Sequence, residues 1–434
     1  MSTSTEGERN MSEAAPVLAK APWPSRRGTH ITAVRTFLTA PENGIPYCVV
    51  RIETNQPGLY GLGCVSDPQR THAVRTVLDD YLGPLLIGRD PADITDIQQL
   101  LQLSGYWRNG SVTNHAVGAV DIALWDIKGK DAGLPLYELF GGRVRTGAAL
   151  YGHAHGSEID EVIEQVRAYQ AEGFEHVRAQ VAAPGVDTYG SKTGSEQARL
   201  RQRTRDLPWD ETGYLQIVPE MFARLRAAVG PEVKLLHDAH ERLTPVQAIR
   251  FARELEPYDL FFLEDVLAPE DLEWFAELRQ ATVVPLAVGE LINDPAKFVA
   301  LAQRRLIDFA RIRIGCVGGI TVARKLIGLC EFYGVRTALH GPGDVGPLAH
   351  AANVAIDVTA PNFGVQEYTQ FSEATREVFP GTLVATDGML VPSDQPGLGI
   401  DFDEAAAARH PSPKPLEHDR WALLRRRDGS VTRP

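Results

Sequence analysis

Three segments of this 434-residue chain end a short apolar run with an acid: LLHD at Asp238, FFLE at Glu264 and LAVGE at Glu290, each 26 residues from the next. That interval is about the length of one strand, one helix and their loops. It predicts three consecutive strand ends on the C-terminal rim of a parallel barrel, where barrel enzymes keep their sites. Three converging carboxylates in a partly dry pocket repel one another, and a bound cation is the natural compensation. All-oxygen ligation without cysteine or paired histidine selects a hard ion, Mg²⁺ before Mn²⁺, with positions left for water and substrate oxygens. Alone, each acid reads as a solvated rim charge or a helix cap; in phase, the three read as metal ligands.

Candidate acids and bases share that rim. His240 lies two residues beyond Asp238, and strand alternation would point it into the same pocket. Arg178 lies in HVRAQ, and Tyr189 follows it in a long insertion running from Pro184 to Tyr214 that is rich in glycine and arginine. A loop of that length in a compact enzyme is a lid or binding element, or a solvated or subunit-contacting loop. An arginine near a phenol favours phenolate, so Tyr189 can serve as a base. On spacing alone it reads first as a lid aromatic. His153 in YGHAHG, His340 in ALHG and Glu367 in QEY end further strand-like runs, and Arg311 lies on another. Each is an ordinary structural residue unless the rim is shared. GCVGG at 315 to 319 is a weak phosphate-loop signal.

The elements that must hold these residues read as follows. Residues 1–26, rich in Ser, Glu, Ala and Pro, are expected to lack fixed structure. Residues 27–145 run strands then helices: ITAVRTFLTA, PYCVVRIETN and LYGLGCV as an antiparallel sheet, a helical stretch from about 69 to 86, and a helix through VTNHAVGAVDIALWDIKGKDAGLP. From 146 to 379 eight strand-like runs alternate with helices, which predicts an α/β TIM-type barrel, with a doubly wound sheet as the alternative. Residues 380–434 are Pro/Gly-rich at first and are expected to pack back over the first domain.

Composition narrows the partners. A net charge of -12 argues against sequence-independent nucleic-acid binding, which needs a basic face. No run of about 18 apolar residues offers a membrane span, and the first residues lack the apolar core of a signal peptide, so a soluble cytoplasmic protein is expected. Cys48, Cys64, Cys316 and Cys330 are scattered without a CxxC pair and read as core residues. A small molecule is the expected partner.

The ordered set VDIALWDIKGKDAGLPLYELFGG, YGHAHG, HVRAQVAAPG, LLHDAHERLTP, FFLEDV, PLAVGE, ALHGPGD and PNFGVQEY resembles the mannonate dehydratase family of the enolase superfamily, over about residues 30 to 405. The resemblance implies an α+β capping domain over a modified (β/α)₇β barrel, with Asp238, Glu264 and Glu290 holding Mg²⁺. It implies Tyr189, partnered by Arg178, as the base beside the substrate carboxylate and His240 as the acid that assists hydroxyl departure. It implies that His153, Arg311, His340, Asp344 and Glu367 line the substrate pocket, that the product is a 2-keto-3-deoxy sugar acid, and that the chain forms a homo-oligomer.

Two departures bear on substrate. The capping loop reads SDPQR, with Pro68 where the family commonly has Asn, and the ending DGSVTRP lacks the family's tryptophan. D-Mannonate or D-gluconate is the expected substrate class, with weak mannonate turnover. A racemase or cycloisomerase is the nearest rival, but Arg178-Ala179-Gln180 stands where such relatives carry Lys-x-Lys, and Asp308 is too far down its strand to pair with His340. A sugar-acid-binding protein with vestigial turnover is the other alternative.

Overall fold

The structure is a computed structural model, which describes residues 9–10, 23, 25, 27–183, 208–414 and 425–433. Most of the 1–26 segment and all of 184–207, including Tyr189, lie outside the described residues.

The first sheet holds β1 (Arg9–Asn10), β2 (Ile31–Glu42), β3 (Ile45–Thr54) and β4 (Tyr60–Val65), all antiparallel. Asn43 and Gly44, at φ 51° and 81°, close the β2–β3 hairpin, the positive-φ pair that a two-residue turn between twisted strands requires. The helix Ser111–Ala132 lies against β4 and ends at Gly133 in the left-handed region, where Leu134 N donates to Gly129 O. Contact between strand and helix is backbone to backbone. A Cβ on Gly63 would stand 1.9 Å from Ala119 O, and one on Gly61 2.0 Å from Ala123 O.

Eight parallel strands follow: β5 (Ala148–Gly156), β6 (His176–Val181), β7 (Lys234–Asp238), β8 (Phe262–Glu264), β9 (Leu286–Val288), β10 (Phe309–Ala310), β11 (Arg336–Thr337) and β12 (Gln366–Glu367). β12 pairs with β5, and Gly364 N donates to Thr337 O, so the sheet closes on itself. Helices cross back after each of the first seven strands, from Ile159–Ala171 to Pro347–Asp357. This is the (β/α)₇β barrel, and the doubly wound alternative is excluded. Its interior is filled by Tyr151, Leu236, Phe262, Ala287, Phe309, Ala338 and Val365, which form a floor beneath the rim.

The chain then returns to the first sheet. β13 (Met389–Leu390) pairs antiparallel with β5. Beyond it Leu398 N donates to Asp126 Oδ1 at 2.9 Å, Phe402 packs on Phe37 with ring centroids 5.2 Å apart, and Glu404 pairs with Arg35 at 2.9 Å. The four cysteines are buried and free. Among the described residues no helix is long and apolar enough to cross a membrane.

The Gly63 contact generates a test. Gly63→Ala drives a methyl into the Ala119 carbonyl, where neither backbone can yield without parting sheet from helix. We expect a loss of about 2 to 3 kcal/mol in urea unfolding, with Gly328→Ala as the control, since its backbone is not left-handed and a Cβ there meets nothing within 4 Å. An unchanged Gly63→Ala midpoint would show that the sheet and helix are not in backbone contact.

Candidate metal centre and acid-base site

Asp238 and Glu264 are the last residues of β7 and β8 and are direct partners in register. Arg178 on β6 pairs with Leu236, which puts its side chain one alternation below Asp238 on the same inner face. Glu290 is placed differently. Glu264 pairs with Ala287, so Glu290 lies three residues further along, past the end of β9 and beyond Gly289 at φ 147°. Equal spacing in sequence therefore does not give equal height here; barrel strands are staggered, and the turn after β9 brings Glu290 in from above.

Three acids and two arginines interlock beneath the rim. Arg311 has no exposed surface and donates from Nε to Glu264 Oε1, from Nη2 to Glu367 Oε2 at 2.7 Å, and from Nη1 to Ala338 O at 3.0 Å. It lies under the site as a bridge between β8 and β12 rather than at its surface, as pocket lining would require. Arg178 donates from Nη1 to Asp238 Oδ2 at 3.0 Å and approaches Glu367 Oε1 at 3.7 Å. Glu367 also accepts from Gly341 N at 2.9 Å, and His153 Nε2 stands 3.3 Å from its Oε1. Burial, with Arg178 beside it, lowers His153 to about 3 and keeps it neutral.

His240 does not sit on the strand. β7 ends at Asp238, and His240 and Glu241 both adopt left-handed backbone at φ 47° and 49°. That turn swings the ring back, so Nε2 lies 2.7 Å from Asp238 Oδ2 while His240 N donates to Asp238 Oδ1 at 3.0 Å. Burial pushes the Asp238 carboxyl up, but His240 and Arg178 together hold it well below the usual range.

On the other flank His340 Nε2 stands 3.0 Å from Glu290 Oε2, and Arg313 Nη1 stands 3.2 Å from His340 Nδ1. A guanidinium only donates, so Nδ1 accepts and Nε2 carries the hydrogen that points at Glu290. Burial raises the Glu290 carboxyl, but His340 more than reverses this and holds it at about 2. Asp308 takes no part. It accepts from Arg279 at 2.7 Å and from Leu286 N at 2.8 Å, at the far end of β10, so the racemase-type His-Asp pair is not formed.

Arg313 escaped the sequence reading, although RIRIG repeats the Arg311 pattern two residues on. Besides His340 it donates to Asp344 Oδ2 at 2.9 Å, to Ser66 O at 2.5 Å in the capping loop, and approaches His115 Nε2 at 3.4 Å on the Ser111–Ala132 helix. Asp344 is thus turned to Arg313. Asp67, next to Ser66, accepts from Ser111 at 2.7 Å. This side chain ties the loop that carries Pro68 to the barrel.

The donor set fits a hard divalent ion. Glu264, Asp265 and Glu290 each bring a ligand oxygen within 4.8 Å of the others'. Glu264 Oε2 and both Asp265 oxygens are buried without a hydrogen-bond partner among the described residues. Burial pushes the Glu264 carboxyl far up; Arg311 opposes this, while Asp238, Glu290 and Glu367 add to it. Such a group is relieved by positive charge, which a bound cation would supply. Asp265 was not among the expected residues.

A (β/α)₇β barrel with an acid-lined rim, two buried arginines and histidines on both flanks defines a metal-assisted barrel enzyme with a cap. Residues 161–406 match the profile described as enolase C-terminal domain-like, and residues 17–141 match that of the mandelate racemase / muconate lactonizing enzyme N-terminal domain. A D-galactonate dehydratase family member from Streptomyces sp. (strain SPB074) is 56% identical, covering 97% of this chain and 96% of its own. One named RspA from Pantoea ananatis is 47% identical, covering 93% and 99%. The crystal structure of an enolase from Pantoea ananatis with bound D-gluconate and Mg superposes with a TM-score of 0.86 at 45% identity, covering 94% of this chain and all of that one. The chain belongs to the enolase superfamily and, within it, to the D-galactonate dehydratase family of acid-sugar dehydratases. It is a hydro-lyase, and its donor set suits Mg²⁺, the ion on which the superfamily depends. These relatives carry the galactonate name, not the mannonate name that the sequence motifs led us to expect.

The Arg313 bridge is testable. Arg313→Met keeps the bulk but removes every donor. We expect amide hydrogen exchange in 66–70 and 343–345 to quicken by about tenfold or more, the equivalent of one charge-assisted bond, with β3 unaffected. Equal exchange in both variants would show that Arg313 does not tie the loop down.

Proposed function

We propose that this chain removes water from a hexonate-type acid sugar to give the 2-keto-3-deoxy acid, with D-gluconate preferred over D-mannonate. The observation that carries the reading is the in-register pair Asp238 and Glu264 with Arg178 and His240 both bonded to Asp238. Likeness to an enolase holding D-gluconate and Mg supports the choice of substrate. Pro68 bears on the far end of the sugar and not on C2: its ring offers no hydrogen bond to a distal hydroxyl.

In this reading Asp238, Glu264 and Glu290 hold Mg²⁺, which when bound stabilises the negative charge that grows on the substrate carboxylate as its neighbouring proton leaves. Tyr189 takes that proton from C2, with Arg178 favouring phenolate. His240, held by its left-handed turn, delivers a proton to the departing C3 hydroxyl. His340, with hydrogen on Nε2, and the buried pair His153 and Glu367 shape the opposite wall of the pocket, Arg311 fixes the acids from below, and Asp344 orders Arg313. We further read 27–145 as the cap, 146–379 as the barrel and 380–434 as the returning segment, and expect a homo-oligomer.

D-Gluconate and D-mannonate differ only at C2, and D-galactonate differs from D-gluconate at C4. A panel of these three with Mg²⁺, followed by 2-keto acid formation, therefore tests the proton-abstracting face and the capping loop separately. We expect kcat/KM for D-gluconate to exceed that for D-mannonate by about tenfold, the loss of one matched hydroxyl contact. Preference for D-mannonate over both others would overturn the substrate reading. Binding without product from any acid sugar would favour a sensor.

Tyr189→Phe should keep the fold and Mg²⁺ binding but suppress exchange of the substrate's C2 proton with solvent by about a hundredfold or more, the usual scale of a general base. Exchange at the parent rate would mean that another residue is the base.

A further inference from the structure

Asp265 is unexplained by the three-acid ladder. It follows Glu264, is 2% exposed, and neither carboxylate oxygen has a hydrogen-bond partner among the described residues. Its backbone is left-handed at φ 38° and pinned on both sides: its N–H donates to Ala287 O at 3.0 Å and its carbonyl accepts from Glu241 N at 2.6 Å. Strand alternation alone would turn it away from Glu264. The left-handed turn instead brings one of its oxygens within 4.8 Å of oxygens of both Glu264 and Glu290.

Glu264 and Glu290 bring oxygens within 4.8 Å of this carboxylate, and the charges of Asp238 and Glu241 also bear on it. The arginines nearby are already engaged, Arg178 with Asp238 and Arg311 with Glu264 and Glu367. A strained backbone that carries a buried acid into like charge persists where something else compensates it. We propose that Asp265 is a fourth carboxylate of the cation site, adding its charge to that of Asp238, Glu264 and Glu290 and tightening the hold on a divalent ion. The proposal rests on the metal reading above. A purely structural Asp265 would instead be a space-filling group whose removal leaves the ion untouched.

The test is Mn²⁺ binding to the substrate-free full-length protein, read by electron paramagnetic resonance of the free ion, for the parent, Asp265→Asn and Glu264→Gln. We expect the Kd of Asp265→Asn to rise about ten- to a hundredfold, the range found when a group supporting a metal site is lost. The metal-free protein should unfold at the same temperature or higher, because one repelling carboxylate is gone. A Kd within twofold of the parent overturns the proposal. If Glu264→Gln loses Mn²⁺ while Asp265→Asn keeps it, only the role of Asp265 fails. If Glu264→Gln also binds normally, the ladder itself is wrong. Should the asparagine variant fail to fold, Asp265→Gly suits the left-handed backbone, removes the same charge and must show the same weakening.

Discussion

Arg311 carries a positive charge without any exposed surface, between two carboxylates that have none to speak of either. Everything else at the rim is arranged around that burial. Taking an ion pair out of water costs more than the pair returns unless every remaining donor and acceptor is met. Arg311 meets this by spending its other donors on the carbonyls of Ala338 and Leu339, and Glu367 by accepting from Gly341 N. β8, β10, the end of β11 and β12 are thereby locked at one level. Arg178 performs the same service between β6 and β7. Two arginines against Asp238, Glu264, Glu290 and Glu367 leave the centre negative, and Asp265 makes it more so. A divalent cation is the electrostatic complement of a framework that the protein holds rigid beforehand.

The cap is held by different physics. Its sheet meets its long helix through glycines, a contact of shape that tolerates no side chain. Its loop meets the barrel through Arg313, which reads the positions of Ser66, His115, His340 and Asp344 together. The hydrogen on His340 is set by the same guanidinium. Movement of the capping loop and the state of a histidine beside Glu290 are therefore coupled through one side chain, which is how a loop remote from the reacting bond can affect turnover.

The sequence made the barrel legible because apolar runs alternate with amphipathic helices, and the ladder legible because each acid ends such a run. Height was not legible. Spacing counts residues, whereas Glu290 depends on where β9 stops and on Gly289. His240 lies beside Asp238, but not by alternation: the strand ends at Asp238, and a left-handed turn does the aiming. Asp265 was hidden by the same rule, since a residue next to a rim acid should face away from it. Arg311 was legible as a rim residue, but not as one sealed beneath the rim, because burial of a charge depends on partners from four strands. Tyr189 lies outside the described residues, so its part rests on the motif that carries it.

These layers divide the problem of substrate choice. The inner acids, Arg178 and Arg311 are constrained by one another, so that changing any of them strands a buried charge. In the proposed reading they meet the carboxylate and C2, where D-gluconate and D-mannonate differ. Groups that can change without that penalty lie further out, and the loop from Ser66 to Arg70 is such a place: its backbone is held at Ser66 by Arg313, while Pro68 and Gln69 take no part in the buried charge network. The two layers are joined at one point, since Arg313 holds Ser66 on one side and His340, beside Glu290, on the other, so a change in the loop reaches the acids through that guanidinium.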